Sequence, residues 1–547
     1  MAIIADVTIS EKSFGPKALM HDVRFSISES EKIGVIGRNG VGKSTLFGIL
    51  TGEDKDFTGD IIYKAGAVIV ATKQEHHDVG TQTVLQYILA GLPEYANLSQ
   101  IIETYPTTMG DDLTKISEYS DALQRFDDKG FYQIEEQIER ELDNFQLHGI
   151  AHQVFATLSG GQKRLVEVVK IMHSDAHLAL IDEPTNHMDY IAKQQFIDWL
   201  RQARESVLVI THDRDVLREV DRIIELKDGG SVSFKGNYDA YLKQNALATG
   251  SQMNEFEMVE KRITNLKAKV IEYQRFKEKS RHGGTIQRFK RLEEQARKEL
   301  ADLQNRSKPT FWIDKESVAG LNYKTATQYD KFKAKNVRIT LKSGLSRSKH
   351  VLVAARNLSI GYSAPLFERL NIDLREGEAV EFRGRNGAGK TTLIKAILGE
   401  SSATIFDGEL TVDRQVRIGV YEQEVSSAYF DMPLEDAIES MYLAKGLPIS
   451  TTKIRALMSD YLFTEGDGKV PIRRLSGGQK ARFQLISMLA HDPQLLILDE
   501  PTNHLDLPSI EELETALAKY AGAIIYVSHD GYFRDKIVGE VIEIGRQ

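Results

Sequence analysis

Two pairs of carboxylates are the residues of this chain best suited to chemistry. Asp182-Glu183 and Asp499-Glu500 each end an apolar run, and the same Pro-Thr-Asn-His follows both pairs. A short apolar run bounded by polar residues predicts a buried strand, so each pair lies at a strand end. One carboxylate of such a pair can hold a metal ion while the other orients or deprotonates water. A solvated strand end is the plain alternative, but it does not explain the repeated residues that follow.

Two glycine-rich loops indicate that the group acted on is a phosphate. Each matches G-x-x-x-x-G-K-[ST] and opens a predicted helix, so backbone N–H groups and the helix N-terminus can bind phosphates. A lone match could be a chance glycine turn, and the second copy removes most of that alternative. Lys43 and Lys390 would lie beside the β- and γ-phosphates, and Ser44 and Thr391 beside Mg²⁺. The loops are Gly37, Arg38, Asn39, Gly40, Val41, Gly42, Lys43, Ser44 and Thr45, and Gly384, Arg385, Asn386, Gly387, Ala388, Gly389, Lys390, Thr391 and Thr392.

A third string, Leu-Ser-Gly-Gly-Gln, precedes the carboxylates by a helix length in each half. The three motifs together predict phosphoryl transfer to water, for which a protein supplies positioning, charge neutralisation and a group that orients the nucleophile. Glu183 and Glu500 would act as general base or orient the water, and Asp182 and Asp499 would hold Mg²⁺. The string supplies Ser159, Gly160, Gly161 and Gln162 in the first half and Ser476, Gly477, Gly478 and Gln479 in the second.

Length and composition predict a multidomain protein of the cell interior. A chain of 547 residues with 41% apolar content exceeds one ordinary core and indicates about two to four domains. It contains no cysteine, which excludes disulfides and thiol chemistry and agrees with a reducing compartment. No signal peptide opens the sequence, and no apolar run approaches the roughly 18 residues of a membrane span. We therefore expect a soluble protein of the cytoplasm.

With all three motifs present twice, nearly all of both halves resembles the ATP-binding-cassette superfamily. The resemblance implies an α/β fold with two tandem P-loop domains, each with a helical subdomain, and implies ATP and Mg²⁺ as bound groups. It also implies that the phosphate loop of one cassette and the Ser-Gly-Gly-Gln string of the other enclose one nucleotide. A monomer would then carry two sites, Lys43 with Ser476 to Gln479 and Lys390 with Ser159 to Gln162. Neither site shows a degenerate residue, so both are expected to hydrolyse ATP.

Three further pairs of residues gain a role only through this resemblance. An aromatic residue before each phosphate loop occupies the place of the ring that stacks on adenine. A glutamine after each loop matches the residue that reaches the metal and the attacking water, and a histidine after a later strand would contact the γ-phosphate. Any one of these alone would more often be structural, but their offsets match between the halves. The pairs are Phe14 and Tyr362, Gln74 and Gln423, and His212 and His529.

A basic helical segment separates the two cassettes. Between residues 241 and 310 there are 16 Lys plus Arg and 9 Asp plus Glu, although the whole chain carries a formal charge of −9. Apolar residues spaced three and four apart predict two antiparallel helices of roughly 25 residues with a heptad seam, broken at residues 280–284. A charged hairpin is usually a solvated face. A positive one on an acidic body also suits a phosphate backbone, which would be bound near the turn by Arg281, Arg288, Lys290 and Arg291.

The first cassette has about thirty residues more than the second between its glutamine and its Leu-Ser-Gly-Gly-Gln string. They fall at about residues 97–145, in charged helical segments. Two interpretations stay open, an enlarged helical subdomain and an arm that touches a partner. The predicted domains are a first cassette at 1–243, a hairpin at 244–310, a polar connection of unknown role at 311–349 and a second cassette at 350–547.

Tandem cassettes, the repeated Pro-Thr-Asn-His and the basic linker together resemble the ABC-F family of ribosome-associated ATPases. That resemblance implies binding to the ribosomal tRNA exit site in the ATP-bound closed state, with the linker near rRNA and the P-site tRNA, and release after hydrolysis. It implies an action on elongation or on stalled or drug-blocked ribosomes. The long polar connection departs from the family pattern, and the basic C-terminal extension of some members is not expected after Gln547.

Two rival functions use the same ATP residues. The first is the ATP-hydrolysing subunit of a membrane transporter that works with a separate permease. Such a subunit has no use for a basic hairpin between cassettes. The second is DNA repair or chromosome maintenance, where much longer coiled coils are inserted within a cassette. Whether a ribosome factor of this kind is a housekeeping protein or confers antibiotic resistance stays open at this stage.

Overall fold

The computed structural model describes most of the chain, and two compact units are apparent in it. The described residues are 2–15, 17–73, 80–110, 112–304, 312–314, 317–318, 329, 333, 335–341, 350–422 and 425–545. One unit comprises Met1–Tyr238 with Asn336–Gln547 and contains both cassettes, and the other comprises Asp239–Lys335. Among the helices of the described residues, none is long and apolar enough to cross a membrane.

The first cassette combines an antiparallel and a mostly parallel sheet. Its strands are β1 (Ile3–Phe14), β2 (Lys17–Met20), β3 (Val23–Ser28), β4 (Lys32–Gly37), β5 (Thr58–Tyr63), β6 (Ile69–Ala71), β7 (Leu178–Asp182), β8 (Ser206–Ile210), β9 (Arg222–Lys227) and β10 (Gly230–Lys235). In the antiparallel sheet, β1 pairs with β2, β3 and β5. The second sheet has the order β10-β9-β4-β8-β7-β6, with β4, β6, β7, β8 and β9 parallel. The strands β4, β7 and β8 are apolar runs buried on both faces, as parallel strands covered by helices require.

The helices of the first cassette all come after its phosphate loop, and most of them lie in the long stretch before the carboxylates. They are α1 (Lys43–Thr51), α2 (Val84–Ala90), α3 (Tyr95–Thr108), α4 (Leu113–Asp128), α5 (Ile134–Asn144), α6 (Gly160–Met172), α7 (Tyr190–Gln202) and α8 (Arg214–Leu217). Helices α3 and α4 contact each other over much of their length. The extra residues of the first cassette therefore form helices.

Two long helices, α9 (Tyr238–Lys279) and α10 (Gly283–Gln304), follow the first cassette. The second cassette repeats the two-sheet plan. Its strands are β11 (Val351–Gly361), β12 (Pro365–Arg375), β13 (Ala379–Arg383), β14 (Thr404–Val412), β15 (Ile418–Tyr421), β16 (Leu495–Asp499), β17 (Ala523–Val527) and β18 (Glu540–Glu543). Its helices are α11 (Lys390–Ile397), α12 (Leu434–Ala444), α13 (Thr451–Asp460), α14 (Gly477–Leu489), α15 (Leu507–Ala518) and α16 (Gly531–Lys536). The sheets have the orders β12-β11-β14, antiparallel, and β15-β16-β17-β13-β18, parallel. The predicted α/β fold with two tandem cassettes is confirmed.

The helices α9 and α10 form the predicted hairpin. Leu266 and Val270 of α9 pack on Ala296 of α10, and Arg262 pairs with Glu299 at 2.8 Å. Helix α9 has 42 residues, so the predicted length of roughly 25 is wrong for this helix. The reason is a second apolar cluster of Met253 with residues 313 and 329, upstream of the predicted seam, which stabilises the first half of α9.

One carboxylate lies buried in the hairpin seam. Glu293 is 6% exposed and accepts hydrogen bonds from Gln274, Lys277 and Arg297 at 3.1, 2.7 and 2.9 Å. Towards the turn, the rings of Phe276 and Phe289 stack with centroids 5.2 Å apart. A single buried polar residue satisfied by partners on both helices selects one register of a helix pair.

Candidate functional site

The two phosphate loops have the same backbone conformation. Gly42 and Gly389 precede the first helical residue with φ of 110° and 104°, in the left-handed region that favours glycine. A Cβ at Gly42 would lie 2.7 Å from Met20 Cε, so a side chain there would also require Met20 to move. Each loop turns sharply into the helix that follows it, α1 or α11. The N-terminus of each helix is a place where a phosphate can bind.

The loop lysines fold back over their own loops. Lys43 Nζ donates to the carbonyl of Gly37 at 2.8 Å, and Lys390 Nζ donates to that of Gly384 at 2.7 Å. Burial lowers the pKa of both lysines, while carboxylates nearby, chiefly Glu183 beside Lys43 and Glu500 beside Lys390, act in the opposite direction. Each loop thus carries a buried amine next to carboxylates.

The glutamates after β7 and β16 have a backbone conformation rare for their type. Glu183 has φ of 46° and Glu500 has φ of 50°, and such left-handed residues concentrate at functional sites. Burial raises the pKa of Glu183 to about 8, with Asp182 adding to the effect, and burial raises that of Glu500 to about 7. Raised carboxyl pKa values indicate groups with affinity for a proton near neutral pH.

The aspartates of the two pairs lie near the phosphate loops. Burial and Glu500 raise the pKa of Asp499 to about 6, and Thr391 Oγ1 donates to Asp499 Oδ2 at 3.4 Å. Asp182 lines the same cavity as Lys43 and Ser44. A hydroxyl and a carboxylate converge beside each lysine, a donor set that suits a hard divalent cation.

The predicted histidines lie beside the glutamates. His529 Nε2 is 3.2 Å from Glu500 Oε1, whereas His212 Nε2 is 3.9 Å from Glu183 Oε1. Burial, followed by Lys390, lowers the pKa of His529 to about 4, and burial with Lys43 lowers that of His212 well below its usual value. Both imidazoles are therefore neutral at neutral pH. The two ring nitrogens of His212 are buried without a hydrogen-bond partner among the described residues.

The Ser-Gly-Gly-Gln strings open helices α6 and α14. Ser159 and Gln162 form a capping box, because Ser159 Oγ accepts from the Gln162 N–H at 3.3 Å and Gln162 Oε1 accepts from the Ser159 N–H at 3.0 Å. Ser476 and Gln479 repeat these bonds. The strings form the N-termini of their helices, and a helix N-terminus is where an anion binds.

Contacts across the cassettes join each phosphate loop to residues of the opposite cassette. The side-chain amide of Asn39 occupies the space that a side chain on Gly478 would need. The Asn39 N–H also donates to Asp506 at 3.0 Å, and the Asn386 N–H donates to Asp189 at 3.2 Å. The two halves are therefore arranged head to tail.

Two cavities collect the predicted residues at this interface. One, of about 460 Å³, is lined by Phe14, Asn39, Gly40, Gly42, Lys43, Ser44, Thr45, Asp182, Glu183, His212, Ser476, Gly477 and Gly478. The other, of about 1250 Å³, is lined by Ser159, Gly160, Gly161, Gln162, Tyr362, Asn386, Gly387, Gly389, Lys390, Thr391, Thr392, Asp499, Glu500 and His529, and it also reaches Glu183 and His212. Phe14 and Tyr362 are 58% and 55% exposed, so each offers a ring face at a cavity mouth.

Some predicted residues are not placed at the cavities by the described part of the chain. Gln74 and Gln423 are outside the described residues. Gln479 does not line the cavity of Lys43; its amide donates to Asp467 Oδ1 at 2.9 Å. The predicted hairpin cations Arg281, Arg288, Lys290 and Arg291 are exposed and off the seam.

The sequence reasoning missed Asp189 and Asp506 as site residues. Each carboxylate crosses the interface to the phosphate loop of the other cassette and also caps its own helix, α7 or α15. The signal was present, since each aspartate stands six positions after the glutamate in both halves. The role of the two aspartates could not be seen in the sequence, because each one contacts a phosphate loop that is far away in the chain.

Comparison with known proteins agrees with this geometry. The model of the family described as "ABC transporter" matches residues 20–186 and 367–503. The chain is 28% identical to the ribosome protection protein VmlR of Bacillus subtilis, over 98% of this chain and 86% of that protein. It is 29% identical to the energy-dependent translational throttle protein EttA of Mycobacterium tuberculosis, over 97% and 89% of the two chains.

Two more matches are a further relative and a solved structure. The ABC transporter F family member 2 of Arabidopsis thaliana is 28% identical, over 97% of this chain and 75% of that one. The solved structure of RNase-L Inhibitor aligns with a TM-score of 0.58 at 14% identity, covering 98% and 87%, which shows a shared fold. The chain belongs to the ABC transporter family of ATP-binding-cassette ATPases, and within it to the ABC-F family with two cassettes in one chain.

Proposed function

We propose that this protein is a ribosome-associated ATPase that binds near the tRNA exit site when ATP closes its cassettes. Its hairpin acts there on translation elongation or on stalled or drug-blocked ribosomes, and ATP hydrolysis releases it. The expected partners are rRNA and the P-site tRNA, and the expected location is the cytoplasm.

The ATP chemistry is assigned to residues of both cavities. The buried amines of Lys43 and Lys390 stand at helix N-termini, and the hydroxyl and carboxylate pair of Thr391 and Asp499 suits Mg²⁺, which would neutralise phosphate charge. Ser44 and Asp182 would hold the ion in the Lys43 site. The predicted Gln74 would join them there, and the predicted Gln423 would join Thr391 and Asp499 in the Lys390 site.

Within this proposal, Glu183 and Glu500 accept a proton from the attacking water or orient it. Their raised pKa values support a role as a base near neutral pH. His212, with two unpartnered buried ring nitrogens, has hydrogen-bonding capacity for a phosphate oxygen. His529 would act alike in the other site.

The observation that carries the ribosome assignment is the hairpin placed between two complete cassettes. Residues 241–310, which include most of the hairpin, carry a local excess of seven positive charges, and four hairpin cations, Arg281, Arg288, Lys290 and Arg291, are exposed around the turn. Cations on a helical projection bind a phosphate backbone by charge and shape. VmlR and EttA, whose names assign them to ribosome protection and translation, support the same partner.

The test replaces Arg281, Arg288, Lys290 and Arg291 by Gln and measures co-sedimentation with ribosomes against salt concentration. Each lost phosphate contact lowers the slope of log affinity against log salt by about 0.7 to 0.9, so the loss of two to four contacts weakens binding strongly at moderate salt. The ATPase rate without ribosomes should stay at the parental value, because these residues lie off the seam and outside both cavities.

The matched control removes the same charge from the hairpin away from the turn, at Lys261, Lys267, Lys269 and Lys298, which are also exposed. If ribosome binding weakened equally in both variants, the effect would come from the total charge of the hairpin and not from the cations near the turn. Unchanged binding in the first variant would remove the hairpin as the ribosome contact. If the protein instead co-sedimented with membrane vesicles in the presence of ATP, and not with ribosomes, the result would favour the function of a transporter subunit.

A further inference from the structure

A buried ion cluster lies at the centre of the cassette interface. Lys193, on helix α7 of the first cassette, has its Nζ 2.8 Å from Asp213 and 2.6 Å from Asp215. The Lys193 side chain is only 6% exposed. Burial acts to lower the pKa of Lys193, but Asp213, Asp215 and Asp530 outweigh it and hold that pKa above its ordinary value. The lysine is therefore a fixed positive charge inside the protein.

The ammonium group of Lys193 reaches the second cassette. Its Nζ donates to the main-chain carbonyl of His529 at 2.9 Å, the histidine assigned to the Lys390 site. The N–H of Gly531 donates back to Asp215 at 3.4 Å, so the chain on both sides of Asp530 is tied to the first cassette. Charge-assisted hydrogen bonds of this kind are stronger than neutral ones and hold their partners in place.

Helix α7 touches the same site at a second point. Asp189, which caps this helix, accepts the N–H of Asn386 in the second phosphate loop. One helix of the first cassette thus contacts the phosphate loop that carries Lys390 and the loop that carries His529. Both of these loops line the larger cavity.

The other site lacks this lysine. Lys193 stands ten positions after Glu183, and the residue ten positions after Glu500 is Ile510, which is part of an apolar core. The histidine also lies closer to its glutamate in the Lys390 site than in the Lys43 site. The distance from histidine Nε2 to glutamate Oε1 is 3.2 Å in the Lys390 site and 3.9 Å in the Lys43 site.

We propose that Lys193 is a positioning residue for the Lys390 site, supplied by the opposite cassette, and that this site hydrolyses ATP faster than the Lys43 site. Lys193 holds the main chain of His529 so that its ring stays against Glu500. The proposal deepens the ATPase assignment above and rests on the roles of Glu183 and Glu500, but it does not depend on ribosome binding.

The experiment isolates each site in the full-length protein. Glu183→Gln leaves the Lys390 site as the source of turnover, and Glu500→Gln leaves the Lys43 site. In the first background, Lys193→Ile, which installs the residue of the matched position, should lower kcat at least tenfold and leave KM within twofold. Lys193→Arg keeps the charge and should recover most of that loss. In the second background, Lys193→Ile should change kcat less than twofold.

Lys129→Ala is the matched control, because Lys129 pairs at 2.7 Å with Asp175 on the surface, outside both cavities. Equal losses of kcat in both backgrounds, or no recovery with Arg, would overturn the positioning role. If the Ile variant does not fold, the two backgrounds alone decide, since a slower Lys390 site contradicts the proposal. Full turnover in both glutamine backgrounds would refute the glutamate roles themselves, which separates the two failures.

Discussion

The His529 main chain of the Lys390 site accepts a hydrogen bond from a buried lysine of the opposite cassette, whereas the matched helix position of the second cassette is the apolar Ile510. A second difference concerns the side chain, on helix α6 or α14, that accepts a hydrogen bond from the main-chain N–H just before each predicted glutamine. Glu167 accepts the Lys73 N–H at 3.0 Å in the first cassette, and Gln484 accepts the Glu422 N–H at 2.9 Å in the second. The loops that face the nucleotide are repeated closely, while the residues that support them differ in charge. Equal motifs therefore do not imply equal sites.

The largest expected effect would remove the comparison altogether. Glu183→Gln combined with Glu500→Gln should lower ATP turnover on the order of 1000-fold and leave ATP binding intact, since an amide keeps the size of the carboxyl but accepts no proton. Steady-state phosphate release and nucleotide binding measure the two properties. Turnover at the parental rate would show that neither glutamate is the base.

The next largest effect tests which loops belong to which site. Ser159→Arg should weaken nucleotide binding at the Lys390 loop, and Ser476→Arg at the Lys43 loop, each on the order of 100-fold, or about 2.7 kcal/mol. The arginine would fill the space in front of the helix N-terminus. Nucleotide crosslinking at each phosphate loop reads this directly, and a loss confined to the cassette that bears the mutation would contradict the head-to-tail arrangement.

A smaller effect concerns the charged support of the first cassette. Glu167 is 1% exposed and pairs at 2.6 Å with the buried Lys170, so Glu167→Gln leaves that ammonium without its carboxylate. We expect a loss of about 2 kcal/mol in the stability of this cassette, seen as a lower midpoint of thermal unfolding. Glu29→Gln, at an exposed pair with Lys64, should lower that midpoint much less, because solvent screens the pair. Equal shifts for the two variants would mean that burial does not matter here.

The smallest effect concerns the aromatic residues at the cavity mouths. Phe14→Ala and Tyr362→Ala should each weaken ATP binding at their own site by about tenfold, because stacking of a base on an aromatic ring contributes about 1 to 3 kcal/mol. Site-resolved crosslinking with ATP measures this loss. Tyr132→Ala, at an exposed ring outside both cavities, serves as the control. A loss of similar size in the control would point to general destabilisation.

Local patterns were enough to predict the strand ends, the phosphate loops and the helical hairpin, since each depends on residues close together in the chain. Lys193 was not predictable, because a lysine on an amphipathic helix looks like an ordinary surface residue until its helix packs against another domain. Glu293 is a similar case, since its burial depends on the partner helix. The length of α9 was missed because the apolar cluster around Met253 is completed by residues about sixty positions away.

The buried Glu293 gives the hairpin a mechanical property. Its three partners lie on both helices, at Gln274 and Lys277 on α9 and at Arg297 on α10. Sliding one helix along the other by a turn would separate the carboxylate from Gln274 and Lys277 and leave Arg297, on its own helix, as its partner, which is unfavourable for a carboxylate this buried. The pair therefore resists shear and behaves as a stiff strut. A displacement applied at one end of the hairpin is then passed along it with less slippage between the helices than an apolar seam alone would allow.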